Sequence, residues 1–208
     1  MSTAAKPQHR RAFWLRQLHT WHWVSAAICL IGMLLFAVTG ITLNNASRIE
    51  ASAKVTNASA RLPGVLLEGL APPVGDKGPL PAGVSGWIGQ HMDVNVRGAE
   101  GEWSDGEVYV ALPRPGGDAW LALDTVTGEI NYERTDRGMV SYLNDLHKGR
   151  HTGSAWSWFL DVFSVACIVF TLTGLFLLQL HAGRRPATWP VVGAGFAIPL
   201  LLIILFIH

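Results

Sequence analysis

The chain has 208 residues, half of them hydrophobic, with a formal net charge of +1 and a mean hydropathy of +0.28. That hydropathy is high for a water-soluble protein; the overall charge says little about partners, and no basic patch points to nucleic acid. The two cysteines, Cys29 and Cys167, make no CxxC or CxxCH and read as small apolar packing residues, so no disulfide frames the chain and no haem is covalently attached through thioethers.

Residues 1–18 form a basic lead with Lys6, Arg10, Arg11 and Arg16 and no acidic residue. The first apolar stretch, Trp23–Leu43, lies in a transmembrane segment assigned to 19–44, with the helix starting near Ala12 and stopping at Asn44-Asn45. It meets the roughly 20-residue length that a bilayer core demands. It is too long for a cleavable signal, and no small-residue cleavage site directly follows it. Residues 45–80, with Pro72-Pro73 and Gly75, read as a loosely ordered linker holding one short helix.

Residues 81–140 read as a small α+β unit. Pro81–Met92 places Val84, Trp87, Ile88 and His91 at helical spacing. Strands are expected at Val94–Val96, Glu107–Leu112, Ala119–Leu123 and Glu129–Glu133, with polar turn residues after Val96 and a tight turn over Asp124–Gly128. His91 reads as a solvated helix residue, because one histidine without nearby Cys or paired carboxylates is not a metal site.

The second apolar stretch, Ala155–Leu180, belongs to a segment assigned to 141–181, whose helix starts before the membrane although Gly149 and Gly153 weaken that extension. A loop at 182–188 carries Arg184 and Arg185, and the third span, 189–208, opens on Trp189-Pro190 and holds Pro199, expected to kink it. The expected fold class is therefore a mainly α membrane protein, three transmembrane helices with a small periplasmic α+β domain between the first and second.

Charge sets the expected orientation. The lead and the 182–188 loop hold six Lys/Arg and no acid, which places both in the cytoplasm under the positive-inside rule. The stretch from Asn44 to Ser154 has ten Lys/Arg against fourteen Asp/Glu, a net −4. It and the carboxyl terminus are then periplasmic, at a bacterial inner membrane. Asp161 is the one acidic residue inside the spans and is a functional candidate on cost alone; partners considered are Arg150, His151 or a haem propionate, with a helix cap as the plain alternative.

Six of the eight histidines sit where spans meet water: His19, His22 and His181 at the cytoplasmic side, and His147, His151 and His208 at the external side. His19/His22 and His147/His151 each share a helix face. Axial ligation of haem iron needs imidazoles so placed in a helical bundle. The alternative is interfacial snorkelling beside Trp21, Trp23, Trp156, Trp158 and Trp189. The first two spans also repeat a pattern: Leu18-His19 then Phe36-Ala-Val-Thr39-Gly40, and Leu146-His147 then Phe170-Thr-Leu-Thr173-Gly174. Because successive spans run antiparallel, the motif recurs once in each direction. The Thr-Gly pairs read as close-packing sites, with a haem edge against Gly40 or Gly174 as the alternative.

The segments Leu15–Asn44, Ala119–Glu133 and Leu143–Leu175 together resemble the PepSY-associated transmembrane helix proteins of bacteria. The resemblance implies an external PepSY-like domain tethered by helices and, from the larger members, a dihaem membrane reductase, with haem b, that reduces ferric siderophores on the periplasmic side. His19 and His147 match the two Leu-His entries. The chain departs from the larger pattern in having three spans and about one PepSY-like unit, so a homodimer is weighed as the source of a complete helical cage. The expected function is a haem-dependent ferric(-siderophore) reductase in iron acquisition, with one or two haems per chain held among His19, His22, His147, His151, His181 and His208. Its partners are the lipid bilayer and a ferric siderophore or other periplasmic Fe(III) species, with an unidentified electron donor on the cytoplasmic side. The competing expectation is a non-enzymatic, membrane-anchored regulator or accessory subunit that binds a periplasmic partner.

Overall fold

The computed structural model describes residues 6–49, 53–73 and 75–207. The chain divides into two compact units: one takes the residues up to Leu34 together with Phe159 onward, the other Leu35–Trp158. Helix α1, Lys6–Asn44, begins in the first unit and ends in the second.

In the first unit, α1 is accompanied by most of α5, Gly153–His181, whose residues up to Trp158 lie in the second unit, and by α6, Thr188–Phe206. All three are long and apolar enough to cross a membrane. At 1.5 Å per residue the 19 residues of α6 reach about 28 Å, close to one hydrocarbon core. Neither α5 nor α6 has a buried residue, and Ile168, Phe176, Phe196 and Ile204 are among their exposed apolar side chains. A helix apolar all round needs an apolar solvent, here lipid. Helix α6 runs unbroken through Pro199. Helices α1 and α5 meet where residues are small: Gly32 faces the ring of Phe163, and Cys29 is fully buried against Cys167. Both thiols are free, as their packing role implies.

The second unit is built on a six-stranded antiparallel sheet in the order β1-β6-β5-β4-β3-β2. The strands are β1 Lys54–Arg61, β2 Lys77–Pro79, β3 Glu100–Ser104, β4 Glu107–Ala111, β5 Gly117–Asp124 and β6 Glu129–Asp136. Alternation decides which face is buried. Val108, Val110, Leu121, Leu123 and Ile130 point inward and are fully buried. Helix α3, Ala82–Met92, adds Val84 and Ile88 to the same core. Trp103 closes one end, its indole N–H donating to the Gly78 carbonyl at 3.0 Å. Tyr109 and Trp120, one residue out of phase, stack on each other with centroids 6.0 Å apart.

Three expectations change. The 45–80 linker contains strands β1 and β2 as well as the short helix α2, Gly64–Glu68. Val94 and Val96 are buried but lie outside any strand, while the polar stretch Glu100–Ser104 forms β3. The segment before the second span is a separate helix, α4, Gly138–Lys148. Gly149, at φ 67, stops it in the left-handed C-cap conformation that glycine takes without strain.

Candidate functional site

In the first unit, α1 turns His22 into a socket on α5. His22 Nδ1 lies 3.0 Å from Thr173 Oγ1 and 3.2 Å from the Phe170 carbonyl oxygen. The imidazole stacks on the Phe170 ring at 4.8 Å between centroids and 16° between planes. Gly174 supplies the space, since a Cβ there would stand 3.3 Å from His22 Cε1. Phenylalanine is the flat wall, threonine the hydrogen-bond partner and glycine the gap.

The hydrogen bonds assign the tautomer. The Thr173 hydroxyl donates to its own helix, to the carbonyls of Val169 at 2.7 Å and Phe170 at 3.0 Å, as helical threonine commonly does. Toward His22 it can then only accept, and a carbonyl only accepts. Nδ1 therefore carries the proton, and neutral His22 keeps its lone pair on Nε2. Metal-binding histidines are oriented in this way, with one nitrogen tied to a protein acceptor and the other presented.

The second unit repeats the socket with other elements. His147 of α4 places Nδ1 2.7 Å from Thr39 Oγ1. Thr39 donates back to Leu35 at 2.9 Å and Phe36 at 3.2 Å. The Phe36 ring lies 4.9 Å from the imidazole, and a Cβ on Gly40 would stand 3.7 Å from His147 Cε1. One turn on, the Thr42 hydroxyl shares its hydrogen between the Thr39 carbonyl and Asn144 Oδ1, at 2.9 and 2.8 Å. His147 is thus also an Nδ1–H tautomer. The Leu-His pairing sets His19 against His147, whereas the contacts make His22 the counterpart of His147. Gly174 makes room for an imidazole, whereas Gly40 lies at ordinary contact distance from one.

His19 remains exposed on α1, and its ring lies 6.5 Å from that of His181 at the end of α5, with the planes 74° apart. His181 Nδ1 lies 2.7 Å from the Leu177 carbonyl, so its lone pair too is on Nε2. His151 does not share a helix face with His147, because Gly149 ends α4 between them and His151 sits in a turn at φ 56. His208 lies outside the described residues. His91 is exposed and stacked on Trp87 at 4.3 Å, with Nδ1 on its own helix carbonyl, a helix-surface residue as expected. Asp161 is exposed on α5 and has no ion pair or hydrogen bond among the described residues. Among those residues no three His, Cys, Asp or Glu converge on one point, so what the chain offers is pairs of imidazoles.

A family model described as PepSY_TM-like matches residues 13–208. No curated protein and no solved structure matches the chain.

Proposed function

The chain belongs to the PepSY_TM-like family, and from that premise we propose that it is a b-type haem oxidoreductase of the bacterial inner membrane. It passes electrons to a periplasmic acceptor, a ferric siderophore or another Fe(III) species. The observation that carries this is the His19–His181 pair, two imidazoles from different spans with centroids 6.5 Å apart. Two metal–imidazole bonds of about 2 Å each, with the two ring radii added, come to roughly 6 Å. The spacing suits bis-histidine ligation, and His181 already presents Nε2 through its Nδ1–H bond to Leu177.

Haem b would supply a one-electron Fe(III)/Fe(II) couple. The chain's own groups would do the rest. Leu177 holds the His181 ring and raises its basicity through the shared proton. His19 and His181 are both exposed, which leaves the pair open to an incoming electron. Neither role asks for acid–base catalysis. In the second unit His147 presents Nε2 from its socket and is the candidate ligand for a second haem, with a second copy of the chain as the source of the opposing imidazole. The six Lys/Arg of the lead and the 182–188 loop support a cytoplasmic amino terminus, with the sheet and the carboxyl end in the periplasm.

A second reading, a membrane-anchored regulator without haem, is favoured by one feature. His22 and His147 are already packed and hydrogen-bonded, and could serve only to clasp helices. Visible spectroscopy of the purified full chain separates the two. A Soret band, with dithionite-reduced protein reoxidised by a ferric siderophore, is the outcome expected of the reductase. Colourless protein from haem-replete cells supports the regulator. Haem-loaded protein that no ferric complex reoxidises removes the reductase assignment.

A further inference from the structure

The first unit holds a cavity of about 870 Å³ between the start of α1 and the end of α5, lined by Arg11, Trp14, Gln17, Trp21, Phe176 and Gln179 among others. Its walls are mostly apolar and aromatic, and its polar groups are one guanidinium, two amides, the Thr173 hydroxyl and the indole N–H groups of Trp14 and Trp21. Cavities with a few convergent polar groups on an aromatic lining fit small ligands of one orientation. Both lining helices are long and apolar enough to cross a membrane, so a lipophilic occupant can reach the cavity from lipid.

We propose that this cavity binds the ring of an isoprenoid quinol, and that the quinol is the electron donor. Three observations select that chemistry. Trp14, Trp21 and Phe176 put three aromatic side chains in the lining, the kind of surface on which a planar ring stacks. Arg11, Gln17 and Gln179 offer N–H donors to ring oxygens. Thr173 lines the same cavity, and its hydroxyl accepts the Nδ1–H of His22, so the occupant and His22 share one wall. A phospholipid would use Arg11 for its phosphate but would leave the aromatic faces and both amides without a role.

The donor role rests on the haem reading; the binding does not. In turnover one quinol becomes a quinone, releasing two electrons and two protons. Two equivalents of ferric haem iron, where bound, would take one electron each, and the protons would leave to water at the cavity mouth.

The test is calorimetric titration of the purified full chain, in a neutral detergent, with short-chain ubiquinone and menaquinone analogues. Saturable binding is expected for at least one. Arg11→Gln and Gln179→Leu should each weaken it about tenfold, the effect of losing one good hydrogen bond, while Phe196→Leu on α6 leaves it unchanged. The substituted side chains at 11 and 179 are exposed, so both variants should fold. No saturable quinone binding, equal binding in all variants, or binding of a phosphatidylglycerol analogue in place of either quinone would overturn the site. Calorimetry reads binding without haem. A colourless chain that binds quinone keeps the site and loses the donor role. A red chain that binds none keeps the haem and loses the site.

Discussion

Thr39 and Thr173 hold the two histidines by the same three-part geometry, and the glycines beside them set how tightly. A methyl added at Gly174 would stand 3.3 Å from His22 Cε1, whereas at Gly40 the distance to His147 is 3.7 Å, ordinary contact. Gly174→Ala should therefore displace the His22 ring and lower the thermal midpoint of the chain in detergent, while Gly40→Ala leaves it unchanged; circular dichroism melts compare them. Equal melts would mean that the ring is not seated as described. The sequence shows the Phe-x-x-Thr-Gly pattern twice and the histidines near it. It does not show which of His19 and His22 enters the socket, because the two are one turn apart and helix rotation decides. At Asp124, backbone N–H groups of Thr127 and Val126 donate to the carboxylate at 2.7 and 2.8 Å and hold its pKa below the usual Asp value. A depressed folded pKa gives stability that is present above the unfolded pKa and lost as pH falls through the folded one. Acid titration of stability should therefore show a loss below the ordinary Asp range that Asp124→Asn lacks.

At the scale of elements, legibility followed periodicity. Strands β4 and β6 place their inward residues at alternate positions, as at Val108 and Val110, whereas β5 reads as a continuous apolar run, Ala119–Leu123, legible as a strand but not by its core face. Strand β1 reads Lys-Val-Thr-Asn-Ala-Ser-Ala-Arg, with little apolar side chain to bury. It is a strand because β6 offers it an eight-residue ladder, a tertiary cause with no local trace. Strand β3 hides for a related reason. Its inward residues are Gly101 and Trp103, and Gly101 is needed where a Cβ would meet Val108 at 3.0 Å. The break between α4 and α5 was half visible, since Gly149 weakens a helix on sight but only its φ of 67 shows that it ends one. Gly149→Ala should cost about 1 kcal/mol, the penalty of a side chain in the left-handed region. Chemical denaturation of the full chain measures it, and a neutral effect would show that α4 runs on toward α5.

For the whole molecule, the three apolar helices were legible because length and composition alone define a span. The exposed apolar surfaces of α5 and α6 suit a lipid environment. Orientation rests on charge. Reporter fusions at residue 100 and at the carboxyl end should both report the periplasm, and a cytoplasmic signal at either would reverse the scheme.

The central claim is that His19 and His181 hold a haem between two spans, and its most direct test is the pyridine haemochrome haem-to-protein ratio of the full chain and its single variants. One or two haems per chain are expected, with about one equivalent lost, or one centre turned high-spin, in His19→Ala and in His181→Ala, and no change in His91→Ala. Wild-type protein without haem, or the same ratio and spectrum in all three variants, would contradict it.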